Sequence, residues 1–181
     1  RELIHGYYSC ISYMDALFGK LMTELERLGL KDNTIIVLWG DHGWKLGEHG
    51  SWCKHTNFEI DCRVPLIVSV PGQEYKNSRT FALTEFVDIY PTLCDLCGLE
   101  IPEHLAGTSF VPVLKDPEIE GKKAAFSQYP RQDDTVMGYS VRTEDYRYTE
   151  WQDFESGVVL ARELYDHNVD SQENINLAEN Q

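Results

Sequence analysis

Apolar residues recur at three- and four-residue steps through the first part of the chain: Tyr7, Cys10, Ile11, Met14, Leu17, Phe18, Leu21, Leu25 and Leu28. That spacing puts them on one face of a helix, so residues 3–28 are predicted to form a long amphipathic helix with Gly29 as its stop. Asp15 sits among these positions and is expected to be an exposed or locally bonded acid. Asp32-Asn33 marks a turn. Thr34-Ile35-Ile36-Val37-Leu38-Trp39 is a continuous, β-branched apolar run, the pattern of a strand buried on both faces. A helix followed by such a strand predicts an α/β layer with parallel pairing.

Further on, Asn57–Arg63 reads as a short helix or turn, and Val64–Val70 as a second apolar strand stopped by Pro71-Gly72. Gln73–Arg79 is a polar loop, and Phe81–Phe86 a short strand. Asp88 before Ile89-Tyr90-Pro91-Thr92-Leu93-Cys94-Asp95-Leu96-Cys97, with Gly98 behind, is a helix with an N-terminal cap and a C-terminal stop. Ile101–Pro117 is a turn-rich connector. After Gly121 the pattern changes to short, aromatic, alternating stretches at Ala124–Tyr129, Met137–Thr143, Tyr146–Trp151 and Glu163–Asp166, which predict antiparallel strands with a turn at Glu144-Asp145. The expected organisation is an α/β core over residues 1–120 and a small antiparallel β subdomain over residues 121–181.

Composition narrows the classes of function. The net charge of −14 argues against a nucleic-acid partner, which would require a basic face. It leaves room for a small anionic substrate, which requires only a few convergent cations. No apolar run is long enough to span a bilayer, so no membrane partner is expected. The chain starts abruptly on a helical pattern without a signal-like core, and its natural N-terminus is expected to lie upstream. Cys10, Cys53, Cys62, Cys94 and Cys97 are irregularly spaced and odd in number, unlike a disulfide scaffold. Cys94 and Cys97 lie in an apolar helical pattern and are expected to be packing thiols. No Asn-x-Ser/Thr sequon occurs.

Candidate chemistry concentrates in Trp39–His55, which carries Asp41, His42, Lys45, Glu48, His49, Lys54 and His55 among Trp39, Trp44 and Trp52. The stretch follows a strand, and open α/β sheets hold their ligands at strand carboxyl ends. Asp41 and His42 can turn towards one ion there; the carboxylate suits a hard divalent cation, and the imidazole draws preference towards transition metals. A lone Asp-His pair also occurs as a hydrogen-bonded loop. Lys54 can neutralise a tetraoxoanion as a point charge. Lys45 is expected to be a solvated surface tip. Glu48, His49 and His55 are acid–base or supporting candidates, and Trp44 and Trp52 are candidate sugar walls or packing residues. Arg142, Arg147 and Arg131 lie in or between the later strands, where an arginine fork could bind carboxylate or sulfate; Arg142 ranks first because it ends a compact strand.

Taken together, these residues resemble the C-terminal part of a sulfatase of the alkaline-phosphatase-like superfamily. Asp41-His42-Gly43 with Lys54 behind is similar to the family's second metal-ligand pair and sulfate-binding lysine. Val87-Asp88-Ile89-Tyr90-Pro91-Thr92-Leu93 and Leu105-Ala106-Gly107-Thr108-Ser109-Phe110 resemble its downstream segments. Gly47–Glu59, Ser127-Gln128-Tyr129-Pro130-Arg131, Met137–Thr143 and Tyr146–Trp151 are similar to the branch that removes 2-O-sulfate from terminal iduronate of heparan and dermatan sulfate. The resemblance covers nearly the whole chain and weakens at Gln73–Arg79 and Gln152–Arg162.

The resemblance implies the C-terminal portion of a sulfatase-type α/β sandwich with a small antiparallel sheet subdomain. It implies hydrolysis of a sulfate ester by a formylglycine nucleophile, with Ca2+ held in part by Asp41 and His42. Lys54 would be the catalytic cation on the sulfate, and Trp44, Lys54 and Arg142 would contact a sulfated glycosaminoglycan. It implies a lysosomal enzyme in an animal, or a secreted or periplasmic one in a bacterium. No Cys-x-Pro-x-Arg or Ser-x-Pro-x-Arg occurs, so the nucleophile and the remaining metal ligands are expected in an N-terminal part of the same precursor, and this chain alone is expected to be inactive. The rivals are a hydrolase of another sulfate ester, phosphodiester or phosphonate, and a non-catalytic module that binds an anion or glycan.

Overall fold

The computed structural model describes residues 1–178 and shows two compact units, one made of residues 1–54 and 63–73, the other of residues 55–62 and the chain from 74 onward. Gly121, near the predicted boundary, lies within the second. Secondary structure is mixed, with small antiparallel sheets.

The first unit opens with helix α1 (Glu2–Arg27), close to the predicted span. Its apolar stripe is present but uncovered: no residue of α1 is buried, and Leu21 is 64% exposed. Only Tyr7, Phe18, Met22 and Leu25 are half-buried. Strand β1 (Ile36–Trp39) follows. It pairs with β4 (Leu66–Ser69) in antiparallel register, Val37 opposite Val68, and not in the predicted parallel sense. Two short apolar runs pair equally well in either direction; the intervening chain decides, and here it returns β4 beside β1 in the opposite sense. Nor is β1 buried on both faces, since its residues are half-buried or, at Trp39, exposed. Between the strands lies a small hairpin of β2 (Lys45–Leu46) and β3 (Trp52–Cys53), with Lys45 opposite Cys53 and Leu46 opposite Trp52.

The second unit is built on a four-stranded meander, β5 (Ala125–Arg131), β6 (Val136–Arg142), β7 (Tyr146–Asp153) and β8 (Val159–Asp166), each strand antiparallel to the next. These strands appear where alternation predicted them, because alternate residues face the packed side: Val136, Gly138, Ser140, Arg147, Thr149 and Tyr165 are buried. Short helix α2 (Glu59–Cys62) and helices α3 (Ile89–Leu96) and α4 (Val111–Lys115) complete the unit. The predicted strand at Phe81–Phe86 is reduced to a single bridge between Leu83 and Lys122.

Asp88 acts differently from the predicted cap of α3. Its carboxylate makes no cap bond to α3 but closes a capping box with Glu85, accepting from the Glu85 N–H at 2.8 Å. It also accepts from the Thr108 N–H at 2.7 Å and pairs with Lys122 at 2.7 Å, all at 1% exposure. One buried acid thus ties the connector to the start of α3. Gly107 permits this approach, since a β-carbon there would lie 1.8 Å from the Val87 carbonyl oxygen. Of the cysteines, Cys94 is buried, Cys97 is exposed just past α3, and none of the five is in a disulfide.

Candidate active site

The residues after β1 leave regular strand geometry at once. The Gly40 N–H still reaches the Pro65 carbonyl at 3.0 Å, but Asp41, His42 and Gly43 turn out of the sheet. The β2–β3 hairpin then doubles the chain back and brings Lys54, just past β3, beside His42. The Lys54 ammonium donates to His42 Nε2 at 2.7 Å, and Asp41 Oδ2 lies 3.3 Å from the same nitrogen. His42 Nδ1 is 2.8 Å from the Gly43 carbonyl. With Nδ1 donating to that carbonyl, the ring carries its proton on Nδ1 and turns the Nε2 lone pair towards Asp41 and Lys54. A carbonyl-anchored Nδ1 that leaves Nε2 as an acceptor is how proteins prepare histidine for a cation, and here the Lys54 ammonium is the cation it meets.

The three predicted residues are therefore brought together. Asp41 is mostly exposed and His42 half-buried, so the carboxylate and the imidazole face one accessible point. The donor set fits a divalent metal as a partial ligand pair: one carboxylate and one oriented imidazole, fewer than the six to eight oxygens that calcium takes. Neighbouring residues supply support. Trp44 stacks with His42, centroids 6.1 Å apart, and with Tyr7 of α1, also at 6.1 Å. Tyr7 was read from the sequence only as a position on the helix stripe. Its part in holding Trp44, and through it His42, carries no sequence signal.

The other candidates lie elsewhere. Lys45 is fully buried, a correction to its predicted place at solvent: pairing in the hairpin draws it inward. Glu48 turns back on its own hairpin and accepts from the Leu46 N–H. Trp52 is 47% exposed. His49 and His55 both adopt positive φ. His55 stacks on Tyr129, with centroids 5.3 Å apart.

The arginines belong to the second unit. Arg142 Nε lies 3.3 Å from Glu59 Oε2, and its Nη1 donates to the carbonyls of Thr143 and Glu144. Arg147 is almost wholly enclosed: Nε donates to Glu173 Oε1 at 2.7 Å, Nη2 to Glu59 Oε2 at 2.5 Å and Nη1 to Ser140 Oγ at 3.3 Å. Glu173 also accepts from the Glu59 N–H at 2.7 Å and lies 2.8 Å from His167 Nε2. Burial pushes the Glu59 carboxyl up, but the charges of Arg147 and Arg142 and the Arg147 hydrogen bond outweigh it and hold it below the ordinary glutamate range. Glu59, His167 and Glu173 are close enough to share a cation, yet Arg147 already lies on both carboxylates, so this cluster is a buried ion-pair network.

Residues 47–181 match the family model described as N-sulphoglucosamine sulphohydrolase, C-terminal. The chain is 34% identical to iduronate 2-sulfatase of Mus musculus, over 93% of this chain and 44% of that protein. A solved structure in complex with its substrate D-glucosamine-2-N,6-O-disulfate superposes with a TM-score of 0.78 at 33% identity, covering 90% of this chain and 33% of that one. Phosphonate monoester hydrolase of Agrobacterium radiobacter superposes with a TM-score of 0.79 at 27% identity, covering 92% of this chain and 35% of that one. The chain thus spans less than half the length of the relatives it matches. Family match, identity to known sulfatases and fold lead to one conclusion: the chain belongs to the sulfatase family and carries the family's C-terminal portion.

Proposed function

We propose that the chain is part of a sulfuric ester hydrolase that removes 2-O-sulfate from terminal iduronate of heparan or dermatan sulfate. The observation that carries the reading is the convergence of Lys54, His42 and Asp41 at the end of β1. Lys54 supplies a fixed positive charge, which would offset the charge that builds on sulfate oxygens as the ester bond breaks. Asp41 and His42 would hold part of a Ca2+ site, and the ion, when bound, would polarise the sulfate. Trp44, braced by Tyr7 and His42, would form a wall against the sugar. Arg142, already bonded to Glu59 and two carbonyls, has fewer donors left for a ligand than its strand position alone promises.

The sequence holds no formylglycine motif, so the nucleophile would come from a part of the precursor outside this chain, and the 181 residues alone would show no turnover. The complete protein would act in the lysosome of an animal, or outside the cytoplasm of a bacterium. No described helix is long and apolar enough to cross a membrane. A second reading, hydrolysis of another sulfate ester or of a phosphonate monoester, draws support from the two superposed structures.

The test is turnover by the complete protein of an iduronate 2-sulfate glycoside, a glucosamine 6-sulfate and a phosphonate monoester. The first should be preferred, chelation should abolish the reaction, and Lys54→Ala should lower kcat by roughly 10²- to 10³-fold. Preference for another ester would replace the substrate. Undiminished turnover by Lys54→Ala would remove the lysine from the chemistry.

A further inference from the structure

Helix α1 is half-buried at two separate places. Phe18, Met22 and Leu25 make one of them, in its C-terminal half. Tyr7 alone makes the other, about 16 Å earlier along the helix, and every other residue of α1 before Phe18 is exposed. The ring that Tyr7 meets is Trp44, in the loop that carries the candidate site, with centroids 6.1 Å and planes 20° apart. The same indole meets His42 with centroids 6.1 Å and planes 26° apart. Both separations lie in the range where aromatic rings attract one another beyond simple burial. Among the described residues no hydrogen bond engages the Tyr7 hydroxyl, so the contact is made by the ring.

The other restraints on His42 act at its rim. Nδ1 is tied to the carbonyl of the next residue, Gly43, at 2.8 Å, and Nε2 meets the Lys54 ammonium at 2.7 Å and Asp41 Oδ2 at 3.3 Å. These bonds run along the nitrogen lone-pair and N–H directions and resist tilting of the ring only weakly, and Asp41 and Gly43 lie in irregular chain themselves. A contact on the ring face resists tilt, and Trp44 supplies it. Trp44 is in the same loop, however, and needs a rigid support of its own. Tyr7 provides one, because it is carried by a helix of 26 residues. Were Tyr7 needed only to seat the helix, any apolar bulk would serve; to align a stack it must be a flat ring.

We propose that Tyr7 is a positioning residue for sulfate-ester hydrolysis: it braces the Trp44 indole, and the indole keeps the His42 ring aligned with Lys54 and Asp41. The part in hydrolysis rests on the sulfatase reading; the alignment of His42 does not.

The test measures kcat and KM of the complete protein on its preferred ester for Tyr7→Phe, Tyr7→Leu, Tyr7→Ala and Tyr13→Ala. Tyr7→Leu and Tyr7→Ala should lower kcat roughly 2- to 10-fold, with the melting temperature of the leucine variant within a few degrees of the unaltered protein. Tyr7→Phe keeps the ring and should keep kcat. Tyr13, on the same helix and 68% exposed, should be replaceable without effect. A loss of kcat with leucine but not with phenylalanine upholds the proposal. Equal kcat for the leucine and phenylalanine variants shows that bulk alone matters and overturns it. A change confined to KM also overturns it, since Tyr7 would then support only a wall against the sugar. If the alanine variant fails to fold, the leucine and phenylalanine pair carries the same comparison. A second readout is independent of turnover: with isotope-labelled tryptophan and histidine, the Trp44 and His42 ring resonances should both shift in Tyr7→Leu and hold in Tyr7→Phe. If the unaltered protein hydrolyses no ester, the sulfatase reading fails and these resonances decide. A shift in both upholds the alignment of His42, and a shift in Trp44 alone refutes it.

Discussion

The first unit leaves its long helix uncovered along the whole apolar stripe, whereas the second closes a network of ion pairs. In the first, α1 shows its apolar stripe to solvent, and Ile67 of β4 is 58% exposed. In the second, Glu59, Arg147 and Glu173 are closed into a network whose members come from distant parts of the chain. Burying ions tolerates no loose partner, so the segments that carry Glu59, Arg147 and Glu173 must come together as one. Exposed apolar surface sets the opposite condition: the first unit holds its elements in place while leaving faces suited to further protein.

The largest test of this contrast is Arg147→Met. Removing the arginine takes the shared cation from buried Glu173 and half-buried Glu59, leaving them His167 and Arg142, and the stability of the second unit in denaturant should fall by about 3 kcal/mol. Arg27→Met breaks the Arg27–Glu24 pair on the surface of α1 and should be nearly silent in unfolding of the first unit. Equal effects would erase the distinction.

A smaller effect is expected from pH. The Glu59 carboxyl is held below the ordinary range in the folded state, so the folded protein binds fewer protons there than the unfolded chain. The stability it contributes is complete above the ordinary glutamate value and is lost as pH falls through the lowered one. The denaturation midpoint of the second unit should stay flat from neutrality to about pH 5 and fall below that, and Glu59→Gln should flatten the acid limb. The carboxyl of Glu24 is also lowered, by its hydrogen bond to Arg27, but it lies in full solvent and should leave no such limb. The smallest expected change is in association. Replacing Leu21 and Met14 with lysine should reduce self-association of the isolated chain in sedimentation and leave the melting temperature within a few degrees, since neither side chain is buried.

The same contrast explains what the sequence made legible. Period and alternation placed α1 and β5–β8 because each element satisfies a local rule whatever surrounds it. The sense of the β1–β4 pairing was lost because two four-residue apolar runs carry no direction. At the candidate site, Asp41, His42 and Lys54 were visible as residue types at a strand end. The stack of Tyr7 on Trp44 was not, because it joins residues with no pattern between them. The partners of Arg142 and Arg147 were hidden for the same reason: Glu59 lies 83 and 88 residues away. Nothing in a one-dimensional pattern separates an arginine already bonded to acids from one, like Arg131, whose guanidinium lies over the Tyr129 and Trp151 rings.

The β2–β3 hairpin has a consequence for how the chain can vary. It acts as a caliper, because the span from Gly47 to Ser51 sets how far β3 returns along β2 and so which side of the ladder Lys54 leaves from. Inserting or deleting one residue there would slip the pairing by one and turn Lys54 away from His42 without altering a single atom of either. Inserting two would restore the side but displace the ammonium by about 7 Å along the strand. What this loop must conserve is therefore its length and the glycines Gly47 and Gly50, whose φ of 125° and 64° other residues rarely adopt; a library randomised at its other positions should retain activity where a library randomised in its length does not.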